Sequence, residues 1–168
     1  MKRVRYSVAM SLDGYIAGPK GESDWIVMDP EIDFQALLAG FDTILLGRKT
    51  YEATRSEGGM PGMQTYVFSH TLRPADCPGV IVSDNLTETV NALKPRGGKD
   101  IWLFGGGSLF RSCLQQGLVD SVEVAIIPVL LGGGVPFLPE PTTRAKLKLV
   151  KHRVYEQTGT VALEYAVA

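Results

Sequence analysis

Three places in the chain join a short apolar run to groups that can meet a phosphate. Ile101-Trp102-Leu103-Phe104 runs straight into Gly105-Gly106-Gly107-Ser108, and Leu109 to Gln116 follows before Gly117. An apolar run this short, bounded by glycine, reads as a buried strand. The segment after it reads as a helix that Ser108 caps and Gly117 stops. Glycines between a strand and a helix N-terminus let a phosphate reach bare backbone N–H groups at the positive end of the helix dipole. Thr43-Ile44-Leu45-Leu46 leads in the same way into Gly47-Arg48-Lys49-Thr50, which adds two cations and a hydroxyl. Arg48 is the better clamp of the two cations, because its planar fork matches phosphate geometry. Thr65-Tyr66-Val67-Phe68 is a third such run and ends at Ser69-His70-Thr71. The glycine turn is not the full dinucleotide fingerprint, since Phe110 stands at the third glycine position, and a plain tight turn would also use one or two glycines.

Two carboxylates stand out by their setting. Asp13 lies in Ser11-Leu12-Asp13-Gly14, where it suits either chemistry or a simple turn. Glu31 closes Asp29-Pro30-Glu31, a helix start in which Asp29 caps and Pro30 takes the first helical position. Phe34, Leu37, Leu38 and Phe41 then recur at helical spacing, which places Glu31 on the apolar, inward face. The alternative is that Glu31 merely favours the helix N-terminus.

The elements that must position these residues alternate along the chain. Val4 to Met10 reads as a strand, Ser11 to Gly18 follows it, and a long loop then runs through Pro19 to Trp25. After the helix from Asp29 and the strand at Thr43 to Leu46, a helix begins at Tyr51-Glu52-Ala53, and Gly58-Gly59-Met60-Pro61-Gly62 is a loop. Val80 to Val82 is a fourth buried strand, and Asn85 with Glu88 forms a capping box before Val90 and Leu93. Strands alternating with helices argue for a largely parallel sheet that binds ligands at its C-terminal edge. The last third differs. Asp120 to Val129 reads as a long strand, Gly132 to Phe137 as a rigid turn, and Lys146 to Tyr155 with Val161 to Val167 as a closing antiparallel hairpin about Gln157-Thr158-Gly159. The expected total is eight strands and four helices.

Composition bounds the function. The 168 residues suit a single domain spanning 1–168, and the net charge of −1, with Lys and Arg scattered, leaves no electrostatic footprint for nucleic acid. No apolar run approaches the roughly 20 residues of a membrane helix, and no signal-peptide core follows Met1-Lys2-Arg3. Cys77 and Cys113 lack metal-type spacing and suit a reducing cytosol. With His70 and His152 the only histidines, no metal site is expected.

Four stretches in order, Ser11-Leu12-Asp13-Gly14-Tyr15-Ile16-Ala17, Gly47-Arg48-Lys49-Thr50-Tyr51, Gly105-Gly106-Gly107-Ser108-Leu109 and Pro128 to Pro136, make the chain resemble the dihydrofolate reductase superfamily. The match is closer to the reductase domain of bacterial riboflavin biosynthesis and its stand-alone relatives. The resemblance implies an α/β three-layer sandwich, with a central, mostly parallel eight-stranded sheet, a C-terminal antiparallel hairpin and about four flanking helices. It also implies NADPH as cofactor. Gly47, Arg48, Lys49 and Thr50, with Ser69, His70 and Thr71, would hold the 2′-phosphate and adjoining pyrophosphate. Phe104, Gly105, Gly106, Gly107, Ser108 and Leu109 would hold the pyrophosphate from the other side, and Ala9 and Ile16 would lie near the nicotinamide.

The implied activity is NADPH-dependent reduction like that of 5-amino-6-(5-phosphoribosylamino)uracil reductase, by a cytosolic homodimer. Asp13 or Glu31 would act as acid or substrate anchor. Where true dihydrofolate reductases place a hydroxyl beside their acid, this chain has Ala125, which cannot share a hydrogen bond. The alternatives are a dihydrofolate reductase and a nucleotide-binding module without turnover.

Overall fold

The computed structural model describes residues 1–55 and 60–168. Its centre is one eight-stranded sheet. In chain order the strands of that sheet are β1 (Val4–Ser11), β3 (Phe41–Gly47), β4 (Gln64–Phe68), β5 (Ile81–Ser83), β6 (Asp100–Gly105), β7 (Ser121–Ile127), β9 (Leu147–Tyr155) and β10 (Thr160–Val167). Across the sheet they stand in the order β5-β4-β3-β6-β1-β7-β10-β9. The six strands from β5 to β7 run parallel, and β10 and β9 close the sheet antiparallel. Beyond the eight expected strands, β2 (Tyr15–Ala17) and β8 (Val135–Pro136) pair as a separate ribbon. The "rigid turn" after Gly132 is thus partly strand.

Helices cover both faces. α3 (Leu86–Leu93) and α4 (Gly107–Gln115) pack Val90, Leu93, Leu109, Phe110 and Cys113 against Val4, Tyr6, Leu103, Val122 and Val124. On the other face, α1 (Phe34–Leu38) and α2 (Arg48–Thr54) bring Leu38 and Tyr51 to Phe41, Ile44, Val67 and Trp102. Each such side chain contributes roughly 1.5–3 kcal/mol by leaving water, so period-two burial on β1 and β7 fixes which face each residue serves.

Local chemistry moved several boundaries. Asn85 caps α3 as expected, accepting from Glu88 N–H at 3.1 Å, while its amide donates to the Glu88 carboxylate at 3.0 Å. α4 begins one residue before Ser108, with Gly106 at its N-cap position and no side-chain cap, and Gly117 stops it at φ +67°. α2 begins at Arg48 rather than Tyr51. The helix expected from Asp29 is shorter. Asp33 is its N-cap, it spans Phe34 to Leu38, and Phe41 belongs to β3. Asp29 still turns the chain locally, accepting from Glu31 N–H at 2.9 Å on one oxygen, and accepts from the Thr158 hydroxyl at 2.7 Å on the other. Of the loop expected at Gly58 to Gly62, Gly58 and Gly59 lie outside the described residues.

Candidate functional site

β4, β3 and β6 are neighbours, so their C-terminal ends bring Ser69, Gly47 and Gly105 to one edge of the sheet. Across β3 and β6, Leu46 pairs with Gly105. A Cβ on Gly47 would lie 3.7 Å from the Gly105 carbonyl oxygen, and one on Gly106 would lie 3.4 Å from Thr50 Oγ1. Gly47, Thr50, Gly105 and Gly106 therefore meet around one small space. Gly105 holds φ +131°, a region that favours glycine, and a Cβ there would meet nothing within 4 Å. The α4 N-terminus beside it keeps its first N–H groups free of any side-chain cap. Bare backbone donors at the positive end of a helix suit a diphosphate.

The side chains along this edge differ in readiness. Arg48 and Lys49 are exposed at the start of α2. The Arg48 guanidinium pairs with Glu52 one turn on, at 3.3 Å, with the two side chains 42% and 40% exposed. Such a pair is weak and readily exchanged for a phosphate. The Ser69 hydroxyl oxygen already accepts from Thr71 N–H at 3.1 Å and Leu72 N–H at 3.0 Å. It shapes the turn that presents the exposed His70 and Thr71. Phe104 packs edge-on against Trp102, Leu109 is buried in the core, and Ser108 is exposed on α4.

On the next three strands Ala9, Ala125 and Ala162 stand opposite one another, with Arg153 continuing the row onto β9. They share the face that carries Arg5, whose guanidinium lies 4.4 Å from the centre of the Phe41 ring. The three alanines leave a flat floor beside the edge that carries Gly47 and Gly105. The row beneath it is Ser7, Glu123, Glu164 and Lys151. Glu123 is held by Arg5 through two hydrogen bonds of 2.7 and 2.9 Å. Ile16 lies on β2 and is half-buried.

The two carboxylates singled out from sequence are placed differently. Asp13 is filled by donors. It accepts from the Ser11 hydroxyl at 2.6 Å and from the backbone N–H groups of Gly132 at 2.8 Å and Leu131 at 3.1 Å. These bonds, the Ser11 hydroxyl first, hold its carboxyl below the usual aspartate range. Glu31 is exposed and outside any helix, not on an inward helical face, and pairs with Arg153 at 3.2 Å. Arg153 in turn stacks 4.5 Å over the Tyr155 ring. Sequence reading missed Arg153, Glu123 and Asp29. Alternation in the closing hairpin marked Arg153 as one of several basic residues, but no spacing reveals which of them ends the alanine row. Among the described residues, no cluster of three or more His, Cys, Asp or Glu is arranged for a metal, and no helix is long and apolar enough to cross a membrane.

Comparison with known proteins gives these features relatives. The model of the RibD C-terminal domain family matches residues 2–161. The Bacillus subtilis (strain 168) protein YyaP is 38% identical, over 98% of this chain and 94% of that protein. The crystal structure of a putative riboflavin biosynthesis protein from Shewanella sp. PV-4 is similar with a TM-score of 0.84 at 26% identity, covering 100% of this chain and 99% of that one. Dihydrofolate reductase from Enterococcus faecalis, solved with NADP(H), has a TM-score of 0.74 at 19% identity, over 98% of this chain and 96% of that one. At that identity the likeness is one of fold.

Proposed function

Because the chain belongs to the RibD C-terminal domain family, a family of reductases on a dihydrofolate-reductase-like fold, we propose that it is an NADPH-dependent reductase of the 5-amino-6-(5-phosphoribosylamino)uracil reductase type. The observation that carries this reading is the phosphate edge. Bare backbone at Gly105 and Gly106, an α4 N-terminus without a side-chain cap, and Arg48 with Lys49 one strand away fit a dinucleotide bearing an extra phosphate.

Bound there, the cofactor supplies a hydride. What remains for the chain is positioning and exclusion of water. The alanine row leaves room for two flat rings to meet over β1, β7 and β10. Arg153 and Glu31, at the open end of that row, are the charged pair available to anchor the acceptor, while the Asp13 carboxylate already accepts from Ser11, Leu131 and Gly132. Ala125 offers no hydroxyl to a pterin, which favours the uracil-type acceptor over dihydrofolate. The protein works in the cytosol, where buried Cys77 and Cys113 stay reduced. It works as a homodimer, whose pairing would cover the exposed Leu147, Leu149, Val150 and Val154 of edge strand β9.

The test is a parallel assay of NADPH oxidation with the phosphoribosylamino-uracil intermediate and with dihydrofolate. Turnover of the uracil compound supports the reading. A kcat/KM for dihydrofolate of about 10⁴ M⁻¹s⁻¹ or more, with none for the uracil, overturns it.

A further inference from the structure

The Asp13 carboxylate touches no part of the phosphate edge, yet a continuous set of close contacts leads from it to Gly107. Its three donors come from two segments, Ser11 on its own strand and Leu131 and Gly132 across the mouth of the site. Ser11 is fully buried, and its oxygen also accepts from Tyr15 N–H at 3.0 Å. Leu12 N–H donates to the Val129 carbonyl at 3.0 Å and Phe137 N–H to the Gly14 carbonyl at 2.9 Å. The two segments are thus joined at three points, the last of them beside the β2–β8 ribbon, where Tyr15 stands opposite Pro136.

That ribbon rests on α4 with no clearance. A Cβ on Gly107 would fall 2.5 Å from the Pro136 carbonyl oxygen, 3.1 Å from that of Phe137 and 3.0 Å from Pro139 Cδ. The Phe137 ring is wedged against Phe110 of α4 and Tyr6 of β1, each at 5.3 Å between centroids. The far end of the loop is different. A Cβ on Gly132 or Gly133 would meet nothing within 4 Å, whereas one on Gly134 would run into the Ala17 carbonyl. Between Val129 and Gly134 the Asp13 carboxylate is the group that receives the loop's N–H donors, from Leu131 and Gly132.

We propose that Asp13 is a positioning residue that acts through the loop from Val129 to Phe137 on Gly107, fixing where the N-terminus of α4 presents its N–H groups. This rests on the nucleotide site proposed above. The role demands an anion, because three donors converge on the two oxygens and a protonated or amide group would turn a donor toward one of them.

The experiment compares wild type with Asp13→Asn, and with Ser11→Ala, which removes one donor only. NADPH affinity is read by quenching of tryptophan fluorescence well below the unfolding temperature, and backbone amide exchange is read residue by residue. Asp13→Asn should bind NADPH about tenfold more weakly, within the usual range of coupling between sites. Exchange should quicken at Leu131 and Gly132 and also at Gly107 to Phe110, with α3 unchanged. Ser11→Ala should show smaller shifts of the same pattern. Faster exchange confined to Leu131 and Gly132, with wild-type NADPH affinity, overturns the proposal. A wild type that binds no NADPH overturns the nucleotide site instead, and the exchange pattern at Gly107 to Phe110 still decides the coupling.

Discussion

Gly107 lies so close under Pro136 that a single added carbon would reach 2.5 Å from the Pro136 carbonyl oxygen. The three consecutive glycines therefore do three jobs. Gly105 adopts a positive φ, Gly106 leaves space beside Thr50, and Gly107 admits the β8 backbone. Gly107→Ala should destabilise by about 1–3 kcal/mol through overpacking and lower Tm by several degrees. Gly106→Ala meets only Thr50 Oγ1 at 3.4 Å and should keep nearly the wild-type Tm. Gly106→Val should abolish nucleotide binding while the protein stays folded. Thermal melts beside NADPH titrations separate these outcomes, and unchanged NADPH affinity in folded Gly106→Val would return that turn to a purely structural role.

The Arg48–Glu52 pair gives the cofactor preference a two-sided test. Charge-assisted hydrogen bonds contribute roughly 1.5–3 kcal/mol each, so Arg48→Ala should weaken NADPH by about ten- to a hundredfold and leave NADH nearly unchanged. Glu52→Gln frees the guanidinium from an exposed partner whose attraction is roughly 0.3–0.5 kcal/mol. It should tighten NADPH by about twofold. Equal losses for both cofactors in Arg48→Ala would show that Arg48 does not read the 2′-phosphate.

Acid should loosen the loops that Asp13 and Asp29 tie down. Asp13 and Asp29 both hold their carboxyls below the ordinary value, Asp13 through the Ser11 hydroxyl and the Gly132 and Leu131 N–H groups, Asp29 through Glu31 N–H and the Thr158 hydroxyl. A folded pKa below the unfolded value of about 3.9 means that the native state binds fewer protons. The stability these groups contribute is complete above about pH 4 and is lost as pH falls through the folded values. Urea unfolding from pH 7 to 2.5 should show Asp13→Asn and Asp29→Asn less stable than wild type at neutral pH, with the gap narrowing in acid. A gap that stays constant throughout would remove the linkage.

On the substrate side, Ala125→Thr adds the hydroxyl that a pterin acid would use. With Glu31 held by Arg153 at the end of the row, two strands from Ala125, the new hydroxyl has no carboxylate to join. Dihydrofolate should remain a poor substrate, improved by no more than roughly tenfold. Steady-state kinetics on the wild type and the variant measure this directly, and efficient folate turnover in the variant would mean that Glu31 swings inward.

The sequence made the sheet edge at Gly47 and Gly105 legible because strand–glycine–helix junctions are local. Apolar runs ending in glycine at Gly47 and Gly105 need only neighbouring residues to be read, and the sheet order then aligned them. The substrate side was not legible for the opposite reason. Asp29 looked like a helix cap, but Thr158, 129 residues along the chain, donates to its carboxylate. Asp33 is the cap instead, and Glu31 is not on the inward face that periodicity had assigned to it. Asp13 shows the same limit. Ser11 and Gly14 are close in sequence, but two of its three donors come from Leu131 and Gly132. Long-range hydrogen bonds leave no period in a sequence.

β1 pairs with β6 on one side and β7 on the other, and both begin at residue 100 or later. A ribosome making this chain therefore delivers an apolar strand long before it delivers either neighbour. Only when Ser121 to Ile127 has emerged can Val4, Tyr6 and Val8 be enclosed on both sides. Parallel pairing at such separation is slow and leaves apolar segments open to aggregation meanwhile. The centre of the sheet is the last part of the parallel array to be completed during synthesis, so yield in the cell should depend on temperature and chaperone supply more steeply than the stability of the finished protein does.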